Sequence, residues 1–558
     1  MSSEVNFQKN NGLNQEKLSP EKVNIFLAFL IVTGMVIRFS LFHLHQIIEG
    51  DGVHYAFLAR LISHEGKLFG IANEYWSNLW PAVIAFFDRF LFHDIELSGR
   101  MASTLFGSLT VIPVYLVARE LFDKRTSLVA ASLVIGQPFL IRFSVLLFTE
   151  AFYTFIFAFA LWLGIRLVKI PDNMSRWSLF GIIIGLGLLT RPEIQVLAVL
   201  FPLAAFVCRL KKRILLKRVL IGALMFSVIL LSFLSLRAAL IWKVGGKWEF
   251  GFREKAAINL KMGDRIYDRI QHMKFINKFE NGKFTNLQAA PENPLFYLLK
   301  NRQELARRVR TNAIFIGHGY YTVLSSAKGH LVLGIISFIF TGMGIIRSIF
   351  QERSRWLSVL LLAIVFVYSA PWLIMFVLDR FVVPLTVIAI LFTARGLFTL
   401  ERGLFSLFKN RKFSPVWPVI SLIFVFVFTF RNTKWARHTW EGDPVVQKEA
   451  GYYLRANFPQ DTKILTAGPH TPYYFYEGDP FARSVQNIPW AYCEEIVAYA
   501  LEKKIELLVL PEWTLEEGDY PIMNLASENA RCEDLKFITV IGNKKPFRIW
   551  IYRVLKKM

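Results

Sequence analysis

Long apolar runs separated by short basic links set the pattern of this chain. About eleven such runs lie near residues 24–42, 100–121, 127–144, 149–168, 177–190, 193–208, 218–241, 330–350, 356–378, 381–400 and 415–431. Each approaches the roughly 20 apolar residues that a helix needs to cross a bilayer. Residues 177–208 also read as a single hairpin, so pattern alone leaves the number open by about two. The segment 77–92 (SNLWPAVIAFFDRFLF) is shorter and interrupted, and predicts an amphipathic helix lying in the interface.

The rhythm changes after the last run. Residues 432–558 hold strand-like stretches (KILTA, ELLVL, FITVIG, RIWIYRV) and helix-like ones (VVQKEAGYYLRANF, AYCEEIVAYALEKK), which predicts a small α/β domain. The expected fold class is therefore an all-α polytopic membrane bundle with a C-terminal α/β domain. Its parts are a tail over 1–23, a membrane domain over 24–431 with long loops at 43–99 and 242–329, and the C-terminal domain over 432–558. Within the second loop, NPLFYLLKNRQELARRVRTNAIF has a helical pattern that suits either an anionic lipid surface or a solvated cap.

Composition agrees. The chain of 558 residues is 54% hydrophobic and 19% charged, with a mean hydropathy of +0.40, and a soluble protein would carry more charge. The 52 Phe and 14 Trp suit lipid contact and interfacial anchoring. The net charge of +23 does not point to nucleic acid, because the basic residues sit in short links between apolar runs. Examples are Arg119, Lys124 and Arg125 after the second run, and Arg209, Lys211, Lys212 and Arg213 after the sixth. Such loops mark the cytoplasmic side. The N-terminus is then cytoplasmic, and after an odd number of spans the C-terminal domain is extracytoplasmic. The start of the chain lacks the pattern of a cleaved signal, so the first helix is expected to stay as an anchor. The expected location is the plasma (cell inner) membrane; no retention signal is present. Cys493 and Cys532 share the C-terminal domain, and the sequence leaves open whether they pair. No Cys or His spacing marks a metal site.

Four features fall on the outer side in this topology. Asp51 lies in EGDGVHY with Glu49 and Tyr55 beside it. Glu150 starts the fourth run. Arg191 and Glu193 lie in the turn between the fifth and sixth, and Asp379 and Arg380 start the tenth. A charge at a helix centre in lipid costs at least about 2.5–3.5 kcal/mol, which makes such residues functional candidates. The plainer alternative is a helix-end residue that reaches back to water. Glu-Gly-Asp recurs at 441–443, 477–479 and 517–519, where it suits turns, so the tripeptide alone proves nothing about Asp51.

In this order, these residues resemble the GT-C superfamily of integral-membrane glycosyltransferases, and within it the protein O-mannosyltransferase and aminoarabinose transferase branch. That branch has an acidic motif, often D-E-x-x-Y-like, in its first outer loop. Here it is Asp51-Gly52-Val53-His54-Tyr55, with Gly52 where a second acidic residue often stands. The stretch from Ser98 to Phe155 is similar to the family's R-x-x-S-x-x-x-G block and sets Glu150 as the acidic residue of the second outer loop. GIIIGLGLLTRPE and DRFVVPL match two further motifs. The likeness spans roughly residues 20–400, and the family's proline-rich stretch is reduced to SNLWPA.

The resemblance implies a sugar donor carried on a polyprenyl phosphate and passed to a glycan, lipid or protein acceptor. It implies Asp51 and Glu150 as catalytic residues, with Asp51 as general base, and a one-step displacement that inverts the anomeric centre. Arg380 and Arg191 are unranked candidates for the donor phosphate. Glu49, Tyr55, Glu193 and Asp379 are possible site neighbours, and His54 is expected to be structural. Gly52 stands where an adjacent carboxylate would help hold a metal, which weakens the case for one; no cofactor is expected, and a divalent metal is left open without a ligand cluster to support it. No phosphate loop of the G-x-x-x-x-G-K-[ST] type occurs. The rival readings are a transporter or flippase for a lipid-linked sugar and a non-catalytic membrane scaffold. The first is disfavoured by the lack of repeated halves.

Overall fold

A computed structural model describes residues 19–44, 47–67, 70, 72, 76–210, 216–246, 248, 279–280, 283–284, 296, 299–325, 331–351, 355–375, 378–407, 418–439, 445–517, 519–527, 532, 534–545 and 547–555. Most of the tail, much of the loop 242–329 and the Glu-Gly-Asp at 441–443 lie outside the described residues.

Local signals start the helices where polar residues meet the apolar runs. Ser19 accepts from the Lys22 N–H at 3.3 Å and Pro20 opens α1 (Pro20–Phe39). Two shorter helices, α2 (Asp51–Ser63) and α3 (Leu79–Phe87), precede α4 (Ile95–Leu109), which Asp94 caps through the Leu97 N–H at 2.7 Å. α4 and α5 (Val111–Leu121) form one rod interrupted at Thr110. The run over 127–144 is divided in two, as α6 (Lys124–Gly136) and α7 (Pro138–Phe143). Between them Gln137 is extended, because the following Pro138 cannot continue the helix. Then come α8 (Glu150–Lys169), α9 (Met174–Thr190), α10 (Gln195–Leu210), α11 (Leu216–Gly245), α12 (Arg302–Ser325), α13 (Leu331–Gln351), α14 (Arg355–Ser369), α15 (Thr386–Leu407) and α16 (Val419–Thr439). Among the described residues, six helical stretches are long and apolar enough to cross a membrane, and four shorter apolar helices accompany them.

Burial sorts these helices into an inner and an outer set. In the apolar 18-residue segments within Glu150–Lys169 and Arg380–Leu404, 78% and 89% of the residues are buried, against 22% within Pro20–Leu44 and 17% within Leu216–Gly245. α8 and α15 are thus the centre. α1 and α11 are peripheral, and each turns an exposed apolar stripe outward: Ile25, Phe29, Val32 and Val36 on α1, and Leu220, Leu224, Val228 and Leu231 on α11. Spacing by three or four residues puts each set on one face. α3 is amphipathic, burying Trp80 and Ile84, while Phe86 and, in the wide turn that follows it, Phe90 and Leu91 stay exposed. α12 is tied to the loop at 373–375. Its buried Asn312 donates to the Leu373 and Met375 carbonyls at 3.1 and 3.0 Å, and Arg308 pairs with Glu304 at 2.7 Å.

The C-terminal part is a sheet between helical layers. A two-stranded hairpin comes earlier in the chain, β1 (Phe279–Glu280) with β2 (Lys283–Phe284). The main sheet comprises β3 (Ile464–Thr466), β4 (Ser484–Val485), β5 (Leu507–Pro511), β6 (Leu535–Ile541) and β7 (Ile549–Val554) in the order β4-β3-β5-β7-β6. β3 runs parallel to β4 and β5, and β7 antiparallel to β5 and β6. Alternation divides the strands between two cores. Leu508, Leu510, Trp550 and Tyr552 meet α19 (Cys493–Glu502) on one face. Leu507, Val509, Ile549 and Ile551 meet α17 (Val446–Asn457) and the end of α18 (His470–Phe475) on the other. A disulfide joins Cys493 to Cys532. The Glu-Gly-Asp at 477–479 is a turn, with Glu477 and Gly478 at φ 53° and 96°.

Near-contact of backbones locks α13 to α15. A Cβ added at Gly344 would lie 1.8 Å from the Phe392 carbonyl oxygen, and one at Gly396 would lie 1.9 Å from that of Phe340. Thr341 and Thr393 hydroxyls bond across the same crossing at 2.7 Å. Small residues let membrane helices approach this closely. Gly344→Val should therefore lower the thermal midpoint of the detergent-solubilised protein, with a loss of at least about 1–3 kcal/mol from overpacking. Gly342→Ala, two residues away with open space around it, should leave the midpoint near wild type. Equal midpoints for the two variants would contradict this crossing.

Candidate active site

The charged residues singled out in the sequence come from four separate elements and meet at one end of the bundle. Asp51 is the first residue of α2. It follows Gly50, whose φ of 42° turns the chain into the helix, a conformation that glycine adopts without steric cost. The positive end of the helix favours a carboxylate there. Glu150 opens α8. Arg191 ends α9, its N–H on the Gly187 carbonyl at 2.7 Å. Arg380 lies in the 3-10 turn Asp379–Leu385 that leads into α15.

They form a line of alternating charge. Asp51 Oδ2 is 2.5 Å from Arg380 Nη2. Arg380 Nε is 3.8 Å from Glu150 Oε1, and the same oxygen is 3.1 Å from Arg191 Nη1. Arg191 then forks onto Glu193, at 3.0 Å from Nη2 and 3.4 Å from Nε. Aromatic rings wall the guanidinium groups. Arg191 lies over Tyr153 and Phe381 at 5.4 and 5.2 Å, and Arg380 over Phe148 and Phe381 at 5.2 and 5.8 Å. Such placement adds cation–π attraction to the ion pairs.

Exposure runs along this line in one direction. Glu150 and Arg191 are 2% and 5% exposed, whereas the Arg380 and Asp51 side chains are 20% and 32% exposed. The inner end is a buried, compensated support, and the outer end is partly exposed. A buried charge needs such compensation, since removing one partner of a buried pair costs about 3–5 kcal/mol.

The other predicted neighbours divide. Tyr55 is buried on α2, near enough to Asp51 and Glu150 that burial first, and these carboxylates second, push its phenol upward. It remains a hydroxyl, able to donate. His54 stacks on Trp76 at 4.3 Å, and burial lowers its basicity against the opposing pull of Asp51. Glu49 lies in the turn before α2, where its carbonyl accepts from the Gly52 N–H at 2.8 Å. Asp379 opens the turn that carries Arg380. Gly52 has no room for a side chain: an added Cβ would lie 2.9 Å from Ile48 Cγ2 and 3.3 Å from Leu147 Cβ. The departure from the two-acid motif is thus built into the packing of the loop.

Several residues here gave no sequence signal. Phe148, Tyr153 and Phe381 read as ordinary members of apolar runs. Trp80 is another: its indole N–H donates to the Leu147 carbonyl at 3.1 Å and ties α3 to the stretch before Glu150. Among the described residues no group of three His, Cys, Asp or Glu could hold a metal ion.

Residues 79–235 match the family model described as dolichyl-phosphate-mannose-protein mannosyltransferase. No curated protein matches the chain in sequence. Solved structures share its fold. One is the archaeal oligosaccharyltransferase AglB from Archaeoglobus fulgidus, in complex with an inhibitory peptide and a dolichol-phosphate. It aligns with a TM-score of 0.52 at 14% identity, covering 94% of this chain and 75% of that one. Another is ArnT from Cupriavidus metallidurans, bound to undecaprenyl phosphate. It aligns with a TM-score of 0.56 at 12% identity, covering 95% of this chain and 97% of that one. Family match and fold agree with the likeness read from the sequence: the chain shares the fold of these membrane proteins and resembles the GT-C superfamily, in particular its protein O-mannosyltransferase and aminoarabinose transferase branch.

Proposed function

We propose that this protein transfers a sugar from a polyprenyl-phosphate carrier to an acceptor on the extracytoplasmic face, inverting the anomeric centre. The observation that carries the reading is the half-exposed Asp51–Arg380 pair, backed by the buried Glu150 and Arg191. A base and a phosphate-binding cation stand side by side at the open end of a charged line. Two proteins of the same fold bind polyprenyl phosphates, which supports that carrier class here.

Each residue has a step. Asp51 takes the proton of the acceptor hydroxyl as its oxygen attacks the anomeric carbon. The bond from that carbon to the phosphate oxygen breaks, and Arg380 stabilises the negative charge that grows on the phosphate. Arg380 suits this better than Arg191, whose guanidinium is enclosed by Glu150, Glu193 and two rings. Glu150 holds both arginines in place. The departing charge is carried by side chains alone, and no step calls for a cofactor. The Cys493–Cys532 disulfide supports an extracytoplasmic C-terminal domain, since disulfides persist in oxidising compartments.

Two measurements test the reading. Purified protein given labelled polyprenyl-phosphate sugars and envelope acceptors should transfer label. Asp51→Asn should cut kcat about 10²–10⁴-fold, the usual worth of a positioned base, and Arg380→Gln should cut it about 10²–10³-fold. Undiminished transfer by Asp51→Asn would remove the base from that position. For topology, a membrane-impermeant thiol reagent applied to intact cells carrying Cys208→Ser should tag Cys493 and Cys532 only after mild reduction. Tagging that needs cell lysis would place the domain in the cytoplasm.

A further inference from the structure

The turn that presents Asp51 is held from outside the membrane helices. Two backbone donors just before Asp51, at Ile48 and Gly50, end on the C-terminal domain, more than 400 residues away in the chain. The Ile48 N–H donates to the Tyr474 hydroxyl oxygen at 3.0 Å. The Gly50 N–H donates to His470 Nε2 at 3.0 Å. His470 and Tyr474 both lie on α18, so one short helix meets both amides.

The contact is anchored on each side. The Tyr474 hydroxyl donates on to Glu96 Oε2 at 3.5 Å, and Lys448 of α17 reaches the same oxygen at 3.2 Å. The other Glu96 oxygen takes Arg100 at 2.6 Å, and Arg100 also donates to the Ile47 carbonyl at 3.0 Å. Glu96 thus links α4, the Asp51 turn and the C-terminal domain. An apolar patch of Ile48, Val53, Ala56, Leu147, Tyr473 and Tyr474 seals this contact. Further along α2, Phe481 meets His54 at 5.2 Å and Phe57 at 5.1 Å.

The two amide contacts act on the turn just before Asp51. Gly50 has a positive φ, and the residues just before it are in loop conformation. Such a turn has many accessible states unless its amides are occupied. Fixing the two amides fixes the entry of the chain into α2, and with it the position of the Asp51 carboxylate against Arg380.

We propose that the C-terminal domain is a clamp on the Asp51 turn, with His470 and Tyr474 as positioning residues that hold the Gly50 and Ile48 amides. This rests on the reading of Asp51 as the base. It gives the domain a part in the chemical step, separate from any capture of acceptor.

The test joins a substrate-free measurement to kinetics on the full-length protein in nanodiscs. In the double variant His470→Leu with Tyr474→Phe, hydrogen exchange at the Ile48 and Gly50 amides should speed at least about tenfold as their acceptors are lost. The disulfide-linked core, read at β5 and β7, should keep wild-type protection, which shows that the domain is still folded. In the same variant kcat should fall at least about tenfold, with KM for donor and acceptor within about twofold of wild type. His470→Gln keeps an acceptor in place of Nε2 and should recover most of the exchange protection and rate relative to His470→Leu. Unchanged exchange at the two amides would overturn the clamp. So would a raised acceptor KM with unchanged kcat, which would leave the domain as acceptor capture alone. Because exchange is read without substrate, the expected exchange change in a protein that transfers no sugar would uphold the clamp and discard the glycosyl-transfer reading instead.

Discussion

One carboxylate holds the site together. Glu150 is nearly inaccessible, yet it has two guanidinium groups within 4 Å, Arg191 at 3.1 Å and Arg380 at 3.8 Å. Neither arginine would be tolerable alone at that depth, where an unpaired buried charge costs several kcal/mol. Nor would Glu150. The three stabilise one another, and Glu193 and Asp51 complete the line at its two ends. Because their charges alternate, moving one group unbalances the next. That mutual dependence explains why residues from α2, α8, α9 and the turn before α15 converge within a few ångströms although they are far apart in the chain.

The same logic explains which end can act. Inside, Arg191 donates to two carboxylates and lies over two rings, so its hydrogen-bonding capacity is spent on structure. Outside, Arg380 lies nearer to Asp51, at 2.5 Å, than to Glu150, at 3.8 Å, and Asp51 is partly exposed. In the proposed reaction, a phosphate that approaches Arg380 competes chiefly with Asp51, the nearer of its two carboxylates. Drawing the guanidinium toward the phosphate would weaken its hold on Asp51 and leave the carboxylate freer to accept a proton.

Much of this was legible in the chain. The apolar runs give the helices because period and length are local properties, and the strand-like stretches KILTA and ELLVL correspond to β3 and β5 for the same reason. Asp51, Glu150, Arg191 and Arg380 stood out because charge beside an apolar run is costly. What was not legible depends on packing between distant segments. Phe148, Tyr153 and Phe381 look like lipid-facing or core aromatics until the guanidinium groups are placed over them. The division at Gln137 was visible in the adjacent Pro138, but a window long enough to find a span averages over it. Gly52 could be read only as a missing acid; the neighbouring Ile48 and Leu147 make it a matter of space.

The Asp51–Arg380 pair is the meeting of two loops, and each is steadied from beyond the transmembrane core. On the Arg380 side, α12 supplies Asn312, whose amide donates to the carbonyls of Leu373 and Met375. In the same region Trp372 packs on Phe381 at 4.7 Å, and the Tyr368 hydroxyl donates to the Phe381 carbonyl at 3.3 Å. On the Asp51 side, backbone amides end on His470 and Tyr474. Loops need such outside support, because a turn without it samples many backbone states. The helical bundle supplies the buried end of the charged line. The geometry of its open end comes from the parts of the chain that surround the bundle, so the Asp51 and Arg380 side chains depend for their placement on segments beyond the charged line.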